Sequence, residues 1–176
     1  MSKIEIDPND LVLRLFHQWE KSWFVLAAGD YSAGRFNAMT VNWGSMGFMW
    51  GKAFVQIVVR PTRFTYRFTE EFDNFTLSAF PENYRKALDI LGSKSGRDGD
   101  KIALAGLTPM ASQRVSSPAF AEAELTLECR KIYSDDFDPA RFLDPGIERN
   151  YSKNDYHRMY FGQILRICGE EKYLAA

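Results

Sequence analysis

The segment Phe120–Arg130 alternates without a break. Ala121, Ala123, Leu125, Leu127 and Cys129 fall on one side, and Glu122, Glu124, Thr126, Glu128 and Arg130 on the other. Successive side chains of a strand point to opposite faces, so this pattern predicts a β-strand with one buried and one wet face. Five further stretches read as strands. Trp23–Ala28 is a short apolar run that ends at the turn signal Gly29-Asp30, and Asn37–Ser45 follows after a loop with two glycines. Ala53–Val59 is apolar on both faces and is expected to be central. Asn74–Phe80 and Tyr156–Ile167 complete the set.

Helices are predicted between these strands. Pro61 disfavours helix at Arg60, and Thr62 is a candidate N-cap for a helix through Glu71. Pro81-Glu82 opens a helix over Asn83–Leu91, with Gly92 as its stop. A polar loop, GSKSGRDGD, precedes a short helix at Lys101–Ala105, and residues 135–155 read as loop. Long helices alternating regularly with strands are missing, which disfavours Rossmann and α/β-barrel folds. The expected class is mainly β: a small antiparallel barrel with inserted helices. No linker or repeat divides the chain, so residues 1–176 are expected to form one domain.

Composition narrows the function. With 45% hydrophobic and 26% charged residues, the chain has the makeup of a globular protein. A net charge of −1 argues against nucleic acid or anionic lipid as a partner. Runs such as Phe54–Val59 are too short to cross a bilayer, and MSKIEIDPND lacks the apolar core of a signal peptide. A cytoplasmic location is therefore expected. Cys129 and Cys168 belong to no CxxC unit and are read as buried thiols. His17 and His157 are isolated, so no metal site is expected.

Three constellations have chemical potential. In Ser93-Lys94-Ser95-Gly96-Arg97, hydroxyls and backbone N–H groups can donate to phosphate oxygens, with Lys and Arg supplying charge. It is not a Walker loop, because Leu88 stands where that motif needs its first glycine. A solvated surface loop explains it equally well. Arg60-Pro61-Thr62-Arg63 places two guanidiniums around a rigid turn, a second candidate for an anion; ordinary capping with two surface arginines is the plainer reading. In Asn37–Trp43, Met39, Val41 and Trp43 oppose Thr40 and Asn42, so one face can be core while the other offers polar groups to a ring edge or to solvent.

Together these pieces resemble the flavin reductase-like, FMN-binding split-barrel family, in particular its flavoredoxin type. The matching segments are NAMTVNW, RPTRFTY, NFTLSAFP, YRKALDILGSKSGRDGDKIALAGLTP and YHRMYFGQI, within residues 23–167. The resemblance implies a six-stranded antiparallel Greek-key barrel, a homodimer and one FMN per subunit. It implies Thr40, Asn42 and Trp43 along the isoalloxazine, and Arg60, Thr62 and Arg63 near the phosphate and ribityl chain. Ser78, Ala79 and Phe80 would place backbone groups near the flavin's polar edge. Ser93, Lys94, Ser95 and Gly96 would close over the phosphate, and His157 and Tyr160 would approach from the last strand.

In such a protein the redox chemistry belongs to the flavin, so no catalytic side chain is required. Two readings follow from the resemblance. One is an oxidoreductase that passes hydride from NADH or NADPH to FMN. The other is an FMN-bound electron carrier that serves an electron-acceptor protein and lacks its own NAD(P)H activity. A third reading, a module with His157 as an axial haem ligand, rests on one histidine that a structural role explains as well.

Overall fold

Trp50 and Gly51 both take positive φ, 55° and 68°, which is the backbone of a two-residue hairpin turn. They join β4 (Gly44–Met49) to β5 (Lys52–Val59). The computed structural model describes residues 3–175. The preceding elements are β1 (Ile4–Ile6), α1 (Leu15–His17) with a π-helical turn at Gln18–Ser22, β2 (Phe24–Asp30) and β3 (Arg35–Val41). After β5 come α2 (Tyr66–Glu71), β6 (Asn74–Ala79), α3 (Arg85–Ser93), α4 (Lys101–Leu104) and the two-residue strands β7 (Pro109–Met110) and β8 (Ala119–Phe120). Two long strands, β9 (Leu125–Asp136) and β10 (Arg158–Gly169), complete the sheet.

The main sheet has eight strands in the order β3-β2-β6-β9-β10-β5-β4, with β1 paired to the far end of β10. Every pairing is antiparallel. The six strands expected from the sequence are all present; β1 and β4 are additional. β3 and β4 stand at opposite edges of this path, yet only Asn42 and Trp43 separate them. Seven strands laid flat would hold those edges roughly 29 Å apart at the usual spacing. Three Cα–Cα steps reach at most roughly 11 Å. The sheet must therefore curl until its edges meet. They meet without hydrogen-bonding to each other, which leaves a split barrel.

The core follows from period-two alternation on β2. Phe24, Leu26 and Ala28 join Val55, Ile57, Leu77 and Leu127 inside the barrel. Val25 and Ala27 face the other way, under Leu88 and Leu91 of α3 and Ile102 of α4. A strand buried on both faces carries no alternation in polarity, and FVLAAG has none.

Four expectations need correction. Asn37–Ser45 is not one strand: it breaks at Asn42-Trp43, where the chain passes between the two edges. Thr62 does not cap α2. Residues 61–64 form a turn, the helix starts at Tyr66 with Thr65 at its N-cap, and the Thr62 hydroxyl sits 3.5 Å from the Asp155 carboxylate. The polar face of β9 is not wet. Glu128 is 1% exposed and accepts bonds from the backbone N–H of Gln113 and Arg114 and from Arg166. Buried carboxylates persist only with such partners, and here a distant segment supplies the cover. Finally, β9 continues to Asp136, beyond the point where the 135–155 loop was expected to begin.

Gly44 begins β4 at the closure point. A Cβ there would lie 2.4 Å from the Gln56 carbonyl oxygen and 2.5 Å from the Trp19 ring. Gly44→Ala is expected to lower unfolding stability by about 1–3 kcal/mol through overpacking. A chemical-denaturation midpoint equal to that of the wild type would contradict this account of the closure.

Candidate functional site

The split opens on a cleft. Its walls are the end of β3 (Met39, Thr40), the link Asn42-Trp43, Val58 at the end of β5, and His157 just before β10. Its volume is about 160 Å³. Met39 and Arg63 also line a second cavity of about 100 Å³, closed by Thr62, Ser93, Lys94, Ser95, Arg97 and Lys101. The two adjoin at Met39 and Arg63 and together make up a groove with an aromatic end, which also carries Arg60, and a more cationic end.

The cationic end is defined by what its charges lack. Among the described residues, Arg63, Lys94, Arg97 and Lys101 make no ion pair. Arg63 donates to the Gly92 carbonyl and Arg97 to that of Thr62. Lys101 is only 6% exposed, and its amine donates to the carbonyls of Leu91 and Lys94, near the C-terminus of α3. Burial, reinforced by the nearby Arg63 charge, lowers its pKa to about 8. A buried amine without a counter-ion is costly. Four cations converging on one small cavity make a candidate anion site.

Arg97 belongs to the loop singled out from the sequence, whereas Lys101 was not singled out. One signal was present. Lys101 opens α4, capped by the Asp100 side chain, so it stands at the positive end of that helix, where cations are disfavoured.

The aromatic end is shaped by commitments that its groups have already made. The Thr40 hydroxyl donates to the Leu88 carbonyl. Arg60 pairs with Asp155 at 2.8 Å, donates to the Asn150 carbonyl and lies over the Tyr151 ring. It lines the aromatic cleft and not the cationic cavity, whose lining includes Arg63 and Lys101. Trp43 is exposed and tilts against the His157 imidazole, with ring centroids 5.2 Å apart. Asn42 is exposed at the rim.

Thr40, Asn42, Trp43, Arg60, Thr62, Arg63, Ser93, Lys94, Ser95 and His157 thus meet at the groove. Gly96 sits behind it. A Cβ there would come within 2.6 Å of the Phe64 ring and 2.8 Å of Asn37 Oδ1, so this glycine lets the loop pack on the protein rather than on a ligand. Four residues lie elsewhere. Ser78 is fully buried between β2 and β9, bonded to Thr126, and Ala79 is in the barrel core. Phe80 packs on Tyr84 and Phe120 and lines a separate cavity of about 670 Å³. Tyr160 is fully buried and donates to Glu70, because its place on β10 points it into the barrel.

The sequence profile of the flavin reductase like domain matches residues 20–171, a span that contains the whole groove. The chain belongs to the flavin reductase-like family. Solved structures of similar fold agree. Flavoredoxin from Methanosarcina acetivorans superposes with a TM-score of 0.69 at 22% identity, over 99% of this chain and 78% of that one. Flavoredoxin of Desulfovibrio vulgaris (Miyazaki F) gives 0.66 at 23% identity, over 85% and 70%. Nitrilotriacetate monooxygenase component B from Bacillus cereus gives 0.67 at 16%, over 96% and 82%. At these identities the likeness establishes the fold. No curated protein sequence matches significantly.

Within this flavin reductase-like domain, Lys101 makes anion binding depend on pH. Its pKa of about 8 in the free protein lies below the ordinary lysine value, and a bound anion pulls it back up. Binding therefore takes up a proton above about pH 8. The dissociation constant for inorganic phosphate, already a dianion there, is expected to rise as pH increases through that range, by up to tenfold per unit. Isothermal titration from pH 7.5 to 9.5 tests this. A flat profile, or one unchanged in Lys101→Met, would remove Lys101 from the anion site.

Proposed function

We propose that the groove binds FMN and that the protein is an oxidoreductase passing hydride from NADH or NADPH to that flavin. The observation that carries this reading is the join between an uncompensated cationic cavity and an aromatic cleft. A phosphate monoester bears nearly two negative charges and needs several donors. Arg63, Lys94, Arg97 and Lys101 supply the charge, and Ser95 and Thr62 add hydroxyls. A flat ring needs apolar walls, and Met39, Val58 and Trp43 provide them at the adjoining end. Solved structures of similar fold, among them an FMN-binding domain of a flavin reductases-like enzyme from Shewanella baltica OS155, support the choice of FMN.

When bound, FMN supplies the redox chemistry as acceptor of a hydride and donor of electrons. The residues of this chain do the rest. The cationic end fixes the phosphate, and the strand end at Thr40–Trp43 fixes the plane of the ring. His157 lines the cleft as a neutral imidazole, because burial, with repulsion from Arg60, lowers its pKa to about 4. The second reading, an FMN-bound electron carrier for an acceptor protein, is favoured by the two flavoredoxins among the similar structures.

Arg63→Ala combined with Lys101→Met is expected to weaken FMN at least tenfold more than riboflavin. Equal losses in fluorescence titrations with the two ligands would displace the phosphate from this cavity. Anaerobic addition of NADH, then NADPH, to the FMN-loaded protein is expected to bleach the visible flavin band. A band that persists until dithionite is added would favour the carrier.

The same reading assigns a homodimer. Phe48 is 75% exposed, Trp50 58% and Tyr133 44%. Trp50, Tyr133, Phe161 and Phe54 form one aromatic cluster across β5, β10 and β9. A contiguous aromatic face of this kind suits a two-fold partner. Sedimentation is expected to give a dimer at micromolar concentration and a monomer for Trp50→Glu; a monomeric wild type would reject the assignment. The reading also places the protein in the cytoplasm, which keeps thiols such as Cys129 and Cys168 reduced.

A further inference from the structure

The aromatic end of the groove contains a buried pair that the reading above leaves unused. Tyr151 is 3% exposed, and its hydroxyl lies 2.9 Å from Nδ1 of His157. Among the described residues this is the one side-chain hydrogen bond of either group. A phenol is the better donor and an imidazole nitrogen the better acceptor, so Tyr151 donates and Nδ1 is bare. The single proton of the neutral ring then sits on Nε2. Nε2 has no protein partner among the described residues, although His157 is 8% exposed and lines the cleft beside Trp43.

Two other donors at this end are already engaged, while Asn42 and Trp43 stand exposed at the rim. Thr40 is bonded to Leu88, and Arg60 is held by Asp155 and Asn150. We propose that Tyr151 is a positioning residue: it fixes the His157 tautomer and presents Nε2–H to the acceptor edge of a bound flavin. This rests on the reading that the groove holds FMN. The physical consequence is selective. The acceptor edge of a flavin gains negative charge on reduction, so a preset N–H donor stabilises the reduced form more than the oxidised one. Tyr151 is in turn held in place: its ring lies beneath the Arg60 guanidinium, 4.9 Å from its centroid, and stacks with Phe142. The tautomer is thus set by residues 142–157 together with Arg60.

Long-range proton–nitrogen NMR of ¹⁵N-labelled protein at pH 7 reads the tautomer directly, with and without FMN. The variant His17→Gln identifies the signals of the other histidine. The expected pattern is a proton on Nε2 and a hydrogen-bonded, bare Nδ1; a proton on Nδ1 overturns the assignment. Tyr151→Phe keeps the ring and removes the donor. It is expected to weaken reduced FMN roughly tenfold relative to oxidised FMN, the scale of one hydrogen bond to a charged group. Oxidised FMN should bind within about threefold of the wild type, since the phosphate contacts are untouched. An unchanged ratio of the two affinities in a folded variant also overturns it. Failure of the wild type to bind FMN would instead overturn the flavin reading, and this assignment with it.

Discussion

The short link Asn42-Trp43 governs the rest of the structure. It ties the two edge strands of the main sheet within roughly 11 Å, and no flat or gently twisted sheet of that width satisfies it. Curling follows, and with it an interior filled by alternate residues of β2, β5, β6 and β9. The closure is made by the chain itself rather than by a ladder between β3 and β4. The groove forms where the ladder is missing. Position and chemistry therefore share one origin: the residues that turn the corner, Asn42 and Trp43, are also those that line the open end.

Charge is arranged with the same economy. Carboxylates buried in the barrel wall are fully engaged, as Glu128 is by two backbone N–H groups and Arg166. Glu124 likewise accepts from Tyr173 and Lys172. Among the described residues, Arg63, Lys94, Arg97 and Lys101 of the groove have no such partners, whereas Arg60 has Asp155. A chain with net charge −1 that leaves four cations unmatched in one place concentrates its positive potential there.

Much of this was legible in the sequence, and the rest was hidden for physical reasons. All six long strands were visible because each has a period of two or a continuous apolar run bounded by turn residues. β4 was not, since GSMGFM is glycine-rich and mostly exposed, with neither signal. The break at Asn42 was invisible because the apolar alternation of Met39, Val41 and Trp43 runs straight through it. Burial of the Glu128 face depends on residues 113–117, whose return to β9 and β6 is a tertiary event. In the groove, Thr40, Arg63 and the Ser93–Ser95 loop were readable from their types and order. Lys101 was marked only by its place at the start of α4, because its main feature, the absence of a counter-ion, has no local pattern. Ser78, Ala79 and Tyr160 came only from family resemblance, and the fold turns them into the wall or interior of the barrel.

The unbonded seam between β3 and β4 also sets how the groove exchanges what it holds. Widening a paired sheet breaks a row of backbone hydrogen bonds, each about 1 kcal/mol net. Widening this one breaks none in the ladder and disturbs mainly side-chain contacts such as that between Trp43 and His157. Opening the site therefore need not break the hydrogen bonds that hold the barrel together. Substitutions along the seam can shift a protein of this design between a tightly held group and a freely exchanging one while the fold beneath stays the same.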